Sequence, residues 1–221
     1  VRRFGLLSAV LLAVAGFVAL GVWQLQRREW KHALMAEIAA RIHAAPVEAP
    51  DPSVDVAQDA YLRVQVRGVF RSGADTLVQA VTSEGGGFWV MTPLVTDRGF
   101  TVLVNRGFVP PEGRAGTVAG EVMVSGLLRV SEPGGGFLRA NAPGEGRWYS
   151  RDVAAIAQAR GLSDVAPYFI DADRGPGGDW PMGGLTVVAL PDNHLVYALT
   201  WFGLAGLGVF AVGKIKEGLL F

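Results

Sequence analysis

Hydrophobic residues follow two different rhythms along this chain of 221 residues. Phe4 to Leu25 is a run of 22 residues without a charge, and Leu195 to Gly213 is a second run of 19. Each matches the roughly 20 residues that cross the hydrocarbon core of a bilayer as a helix. A secretory signal could also follow Arg2 and Arg3, but signal cores span only about 7–15 residues, and no small-x-small cleavage pattern follows Val22. The stretch "WQLQRREWK" comes instead, with Trp23 and Trp30 placed like interfacial anchors and Arg27, Arg28 and Lys31 like snorkelling cations facing lipid phosphate. Both runs therefore read as retained transmembrane helices. Small residues in each, Gly16 and Gly21 in the first and Gly203, Gly206 and Gly208 in the second, would permit close helix packing.

Between the spans the rhythm changes. A helical continuation is expected to about Ala45, then a linker, "PVEAPDPSVD", whose prolines and aspartates cannot hold a helix. From Tyr61 the chain alternates: in "YLRVQVRGVF", Leu62, Val64, Val66 and Gly68 share one face, and polar residues share the other, as in a half-buried strand. "DTLVQAV", "GFWVMTPLV", "FTVLVNRGFV", "EVMVSGLLRV" and "LTVVAL" read as further strands. "VLVNRGFVP" should be central, with Val102 and Val104 on one face, Leu103 on the other, and Asn105, Arg106 and Gly107 forming its exit. Asn105 and Arg106 fit a buried hydrogen-bonding corner better than a reactive site, since no acid, base or metal motif accompanies them. "SRDVAAIAQARGL" is the one clear helix, capped by Ser150 or Asp152 and stopped at Gly161. The predicted class is α+β: two transmembrane helices bracketing a compact, mainly antiparallel β domain, a sheet or small barrel, with one helix. The expected segments are a first transmembrane helix over 1–25, a helical stalk and Pro-rich linker over 26–59, a β-rich domain over 60–191, a second transmembrane helix over 192–213, and a tail over 214–221.

Composition narrows the chemistry. Half the residues are hydrophobic, which suits a membrane protein. Lys plus Arg equals Asp plus Glu, 20 each, so no basic excess recruits nucleic acid. There are no cysteines, which removes disulfides, covalent c-type haem and iron–sulfur ligation together. Neither GxxxxGK[ST] nor GxGxxG nor GxSxG occurs, and with three histidines a hydrolytic triad or a His-built metal cage lacks its parts.

What remains is a site at the membrane surface. Two antiparallel spans bring the end of the first and the start of the second to one interface, so Trp23, Gln24 and Arg27 should face the depth of His194. On the second helix His194, Tyr197 and Trp201 recur at i, i+3 and i+7; on the first, Trp23, Arg27 and Trp30 recur at i, i+4 and i+7. The two stripes could wall an aromatic cleft. Asp192 or Asn193 can cap the second helix, and the positive end of the helix dipole favours a neutral, ligating His194. The plainer alternative is an aromatic belt with lipid-binding cations. Charge leaves orientation open: Arg2, Arg3, Lys214 and Lys216 mark the terminal side as cytoplasmic, while Arg27, Arg28 and Lys31 argue the reverse.

"GVWQLQRREWK" at 21–31, "VLVNRGFVP" at 102–110, "GGLTVVALPDNHLVYALTWFGLA" at 183–205 and the Tyr61–Gly68–Phe70 strand together resemble the Surfeit locus protein 1 family. The resemblance implies a non-enzymatic assembly factor for cytochrome c oxidase, with oxidase subunit I and haem a synthase as expected partners. It implies noncovalent haem a with His194 as iron ligand; on the helix geometry, Trp23, Tyr197 and Trp201 would then be walls and Arg27 with Gln24 polar partners for the porphyrin edges or propionates. It also implies that the domain faces outward and the tail is cytoplasmic. A bacterial plasma membrane, with the domain in the periplasm, is expected over mitochondria because no Arg/Ser-rich transit peptide precedes the first span. Two departures stand out: Asp192 where the family often has Asn, and Val196 where a polar residue is frequent. Asp192 would oppose haem propionates if it faced them, but not if it capped the helix. The alternative is a scaffold that docks subunit I without haem, in which His194 is structural.

Overall fold

The structure, a computed structural model, describes residues 2–136, 138–175, 180–185 and 192–217. Contacts divide the chain into two compact units: Val1–Glu37 with Ala189–Phe221, and Ile38–Val188.

The first unit is a helix pair. Helix α1 runs unbroken over Arg2–His43, 42 residues or about 63 Å at 1.5 Å each, well beyond the ~30 Å of a hydrocarbon core. It ends near the expected place because Pro46 lacks an N–H and disfavours helical backbone at the residue before it. The last helix, α3, spans His194–Lys216. Both helices are long and apolar enough to cross a membrane. They are not core helices of a globular protein, because their large apolar side chains point outward: Phe4 is 78% exposed, Leu12 73%, Leu207 67% and Phe210 65%.

The second unit is built on seven strands. They are β1 (Val47–Glu48), β2 (Arg63–Phe70), β3 (Thr76–Thr82), β4 (Gly85–Thr96), β5 (Thr101–Val109), β6 (Glu121–Val130) and β7 (Val165–Ala172). Their order is β1-β2-β6-β7-β5-β4-β3, and a further pairing of β2 with β4 closes five of them into a small barrel. The closure depends on Gly68, which pairs with Thr96: a Cβ there would lie 2.2 Å from the Val95 carbonyl oxygen. Inside sit Val64, Val66, Leu94, Val102, Val104, Leu128, Tyr168 and Ile170. Outside, helix α2 (Val153–Arg160) covers Val78, Met91, Leu103 and Phe169 with Val153 and Ile156. As expected, α2 is capped by Asp152, whose carboxylate accepts from Ala155 N–H (3.1 Å), and ends on a left-handed Gly161.

The α+β class and the strands read between 61 and 130 are observed. Three findings differ from the sequence reading. β7 was not anticipated, because "VAPYFIDA" carries a proline and an aspartate where a strand reading expects neither. It is nonetheless central, parallel to β5 and antiparallel to β6. Second, Asn105–Gly107 is not the exit of β5. The strand continues to Val109, because Asn105 ties inward to Asp171 while Gly107, at φ +130, accepts the close approach of the Met182–Gly183 backbone. Third, the Pro-rich linker carries the short strand β1, parallel to β2. The expected strand "LTVVAL" lies mostly outside the described residues.

Candidate functional site

The two long apolar helices of the first unit run antiparallel and interlock by small residues. Gly208 receives Val14 and Gly21 receives the ring of Phe202, contacts that any Cβ would obstruct. Ala198 and Ala205 are buried on the same side of α3, and Trp201 stacks on Phe17 with centroids 5.8 Å apart and planes at 23°. A Cβ on Gly16, Gly203 or Gly206 would meet no described neighbour within 4 Å, so the close packing uses a subset of the glycines.

This packing sets the rotation of α1. With Gly21 against Phe202, the residues three, seven and eleven positions later turn to the head of α3: Gln24, Arg28 and His32. Gln24 Oε1 lies 2.7 Å from His194 Nδ1. An amide oxygen only accepts, so Nδ1 carries the proton, and in the neutral ring Nε2 keeps a lone pair. No described residue bonds Nε2. Asp192 holds the same helix end from the other side. Its Oδ1 accepts the backbone N–H of His194 (3.0 Å), and its Oδ2 meets His32 Nε2 (2.7 Å) and Arg28 Nε (3.5 Å). Asn193, the residue flanking the helix, makes no side-chain cap bond. Asp192 is therefore the cap the sequence suggested, and its charge is turned towards Arg28 and His32.

The expected stripe of Trp23, Arg27 and Trp30 does not face His194. Trp23 and Trp30 are 53% and 52% exposed, and the Arg27 guanidinium lies 4.0 Å over the Trp30 ring. The physical reason is the Gly21–Phe202 contact, which turns the adjacent face inward. On α3, His194 and Trp201 lie on the packed side, whereas Tyr197 is 55% exposed. The sequence reading brought Gln24 and His194 together but missed Arg28 and His32 as partners of Asp192. The signal was present: Gln24, Arg28 and His32 recur every four residues.

The barrel holds a second polar constellation. Asp171, with its side chain 2% exposed, accepts from Asn105 Nδ2 (2.8 Å), Arg129 Nη1 (2.8 Å) and Arg151 Nη1 (3.1 Å). Glu132 takes the other edge of Arg151, Nη2 at 2.6 Å and Nε at 3.0 Å. Burial works against the Arg151 charge, but Asp171 and Glu132 outweigh it and hold the guanidinium above its usual pKa. Asn105 Oδ1 also accepts Gly107 N–H (3.1 Å). Every nearby charge has a partner, so this is a structural joint between β5, β6 and β7.

The SURF1 family profile matches residues 11–206, which include the barrel, most of α1 and the first half of α3. Surfeit locus protein 1 of Mus musculus is 40% identical over 220 residues, covering 88% of this chain and 70% of the mouse protein. Its Homo sapiens counterpart is 40% identical over 222 residues, covering 89% and 72%. A SURF1-like protein of Drosophila melanogaster is 34% identical over 228 residues, covering 91% and 74%. The chain belongs to the SURF1 family.

Proposed function

We propose that this chain is a membrane-anchored, non-enzymatic assembly factor for cytochrome c oxidase that holds haem a at the outer membrane interface for insertion into subunit I. The observation that carries the reading is the His194–Gln24 bond, which fixes Nδ1 as donor and leaves Nε2 available. Ligating histidines are oriented in this way by an acceptor on the far nitrogen. The donor set therefore fits haem in its ligand: one oriented imidazole at the head of an apolar helix. Bound haem would supply an iron centre that takes the Nε2 lone pair. The apolar macrocycle would gain roughly 25 cal/mol per Å² of surface removed from water, which gives affinity but little orientation. Orientation is the task of His194, with Gln24 behind its ring and Asp192 behind its backbone. The proposed setting is a bacterial plasma membrane with the barrel in the periplasm, and haem a synthase as a further partner.

The second reading, a haem-independent scaffold for subunit I, is favoured by one observation: Trp201 is already stacked on Phe17, so part of the expected aromatic wall serves helix packing. The two readings separate in one preparation. Protein purified from cells that make haem a should carry a haem a spectrum under the first. Haem-free protein that still co-purifies with subunit I would favour the second.

A further inference from the structure

Among the described residues the barrel wall contains a gap that the proposed function does not use. β7 ends at Ala172, opposite Gly126, so Glu121 to Ser125 of β6 pair with β2 on one side and lack β7 on the other. The chain turns away there, and the Asp173 N–H donates to Ser125 O (2.9 Å) as it leaves. A cavity of about 470 Å³ opens between β5 and β6, within the range of small-molecule sites. Its floor is apolar: Val104 is fully buried, Val124 is 9% exposed, and Phe70 and Val122 pack against the same core.

Two cations border this floor. Arg106 is half-buried, donates to the Gly116 carbonyl (2.7 Å) and lies 5.4 Å over the Phe70 ring. No described carboxylate comes within ion-pairing distance of it. Burial accordingly lowers its pKa, offset only in part by Asp75 at longer range. Arg174 is exposed on the same rim and pairs with no described residue. Asp173, beside it, is engaged by Arg63.

We propose that this gap binds a singly charged amphiphile, with a carboxylate held by Arg106 and Arg174 and an apolar body lying on Phe70, Val122 and Val124. A half-desolvated guanidinium that no described carboxylate reaches gains most from a carboxylate ligand, whose two oxygens match its fork. The apolar floor selects for the body behind that headgroup. Asp173 disfavours a second negative charge. Such chemistry occurs in a free fatty acid and in the apolar C-terminal residue of a polypeptide.

The test is calorimetric titration of the full chain in lipid nanodiscs, with empty discs subtracted, using octanoate, octanamide and N-acetyl-leucyl-leucine. At least one of the two carboxylates should bind saturably, about tenfold or more tighter than octanamide, as a charge-assisted contact implies. Octanoate binding identifies a fatty-acid source; tighter binding of the dipeptide identifies a polypeptide C-terminus. Arg106→Gln should abolish the preference over octanamide. Should that variant melt early, Arg174→Gln should weaken the preference and Val122→Trp, which fills the gap, should remove saturable binding. Equal binding of carboxylates and octanamide, no saturable binding, or unchanged binding in well-folded variants overturns the proposal.

Discussion

In the barrel, the buried Asp171 carboxylate receives Asn105, Arg129 and Arg151, and Glu132 closes the far side of Arg151. At the head of α3, by contrast, Gln24 and Asp192 fasten His194 by one ring nitrogen and its backbone N–H, and no described residue takes the other nitrogen. Both regions hold polar side chains rigidly, but for opposite ends. A network whose members are all satisfied costs nothing further and defines a fold. A held group with one unused valence is arranged to meet something else. The difference separates the residues to test for stability from those to test for function.

The largest effect should come from the satisfied side. Asp171→Ala leaves Arg129 and Arg151 partly buried without their shared carboxylate, which should cost about 3–5 kcal/mol of barrel stability. Thermal melting of the purified protein would register the loss, while protein that remains folded should keep its haem content. A variant with wild-type melting and lost oxidase assembly would make the network a partner site instead.

Alkaline pH should also weaken the barrel. The Tyr168 phenol is buried beneath the linker, donates to the Pro50 carbonyl (2.5 Å), and has its pKa pushed up to about 12, chiefly by burial. Below about pH 10 the phenol is protonated in folded and unfolded chains alike, and the contribution is complete. Between there and about pH 12 the unfolded chain releases the proton first, so stability falls as pH rises, by about 3 kcal/mol in all. The barrel unit contains neither Lys nor Cys, so tyrosines dominate its titration in this window. Tyr168→Phe should flatten the dependence in alkaline melts; an equally steep profile would show that another group is responsible.

On the open side, Gln24→Leu preserves bulk but removes the acceptor behind His194. Haem affinity should fall by about 10- to 100-fold, as for other lost partners of ligating histidines, with barrel melting unchanged. Gln24→Glu, which keeps an acceptor, should retain haem and shift its spectrum. Equal affinity in all three proteins would reduce the Gln24 bond to an interhelical tie.

The sequence disclosed much of this division. Alternation in "YLRVQVRGVF" and charge-free runs at both ends are direct imprints of a half-buried strand and of helices with apolar outer faces. β7 was hidden because burial on both faces removes alternation, and Pro167 and Asp171 mimic a loop. The rotation of α1 was hidden for a different reason. Periodicity defines the faces of a helix but not which face meets a neighbour; the contact of Gly21 with Phe202, 181 positions away, decides that. Gln24 and His194 could be paired by depth alone, whereas Arg28 and His32 required that rotation.

The central claim is that His194 binds haem a through Nε2, and the visible spectrum of His194→Ala tests it most directly. The substitution removes no apolar residue from the 195–213 run, so the protein should still insert into the membrane and the barrel should melt as before. Purified beside the wild type from cells that make haem a, it should carry less haem, with a displaced Soret band in what remains. Full haem occupancy with an unchanged Soret band would contradict the assignment and leave His194 a structural tie between two helices.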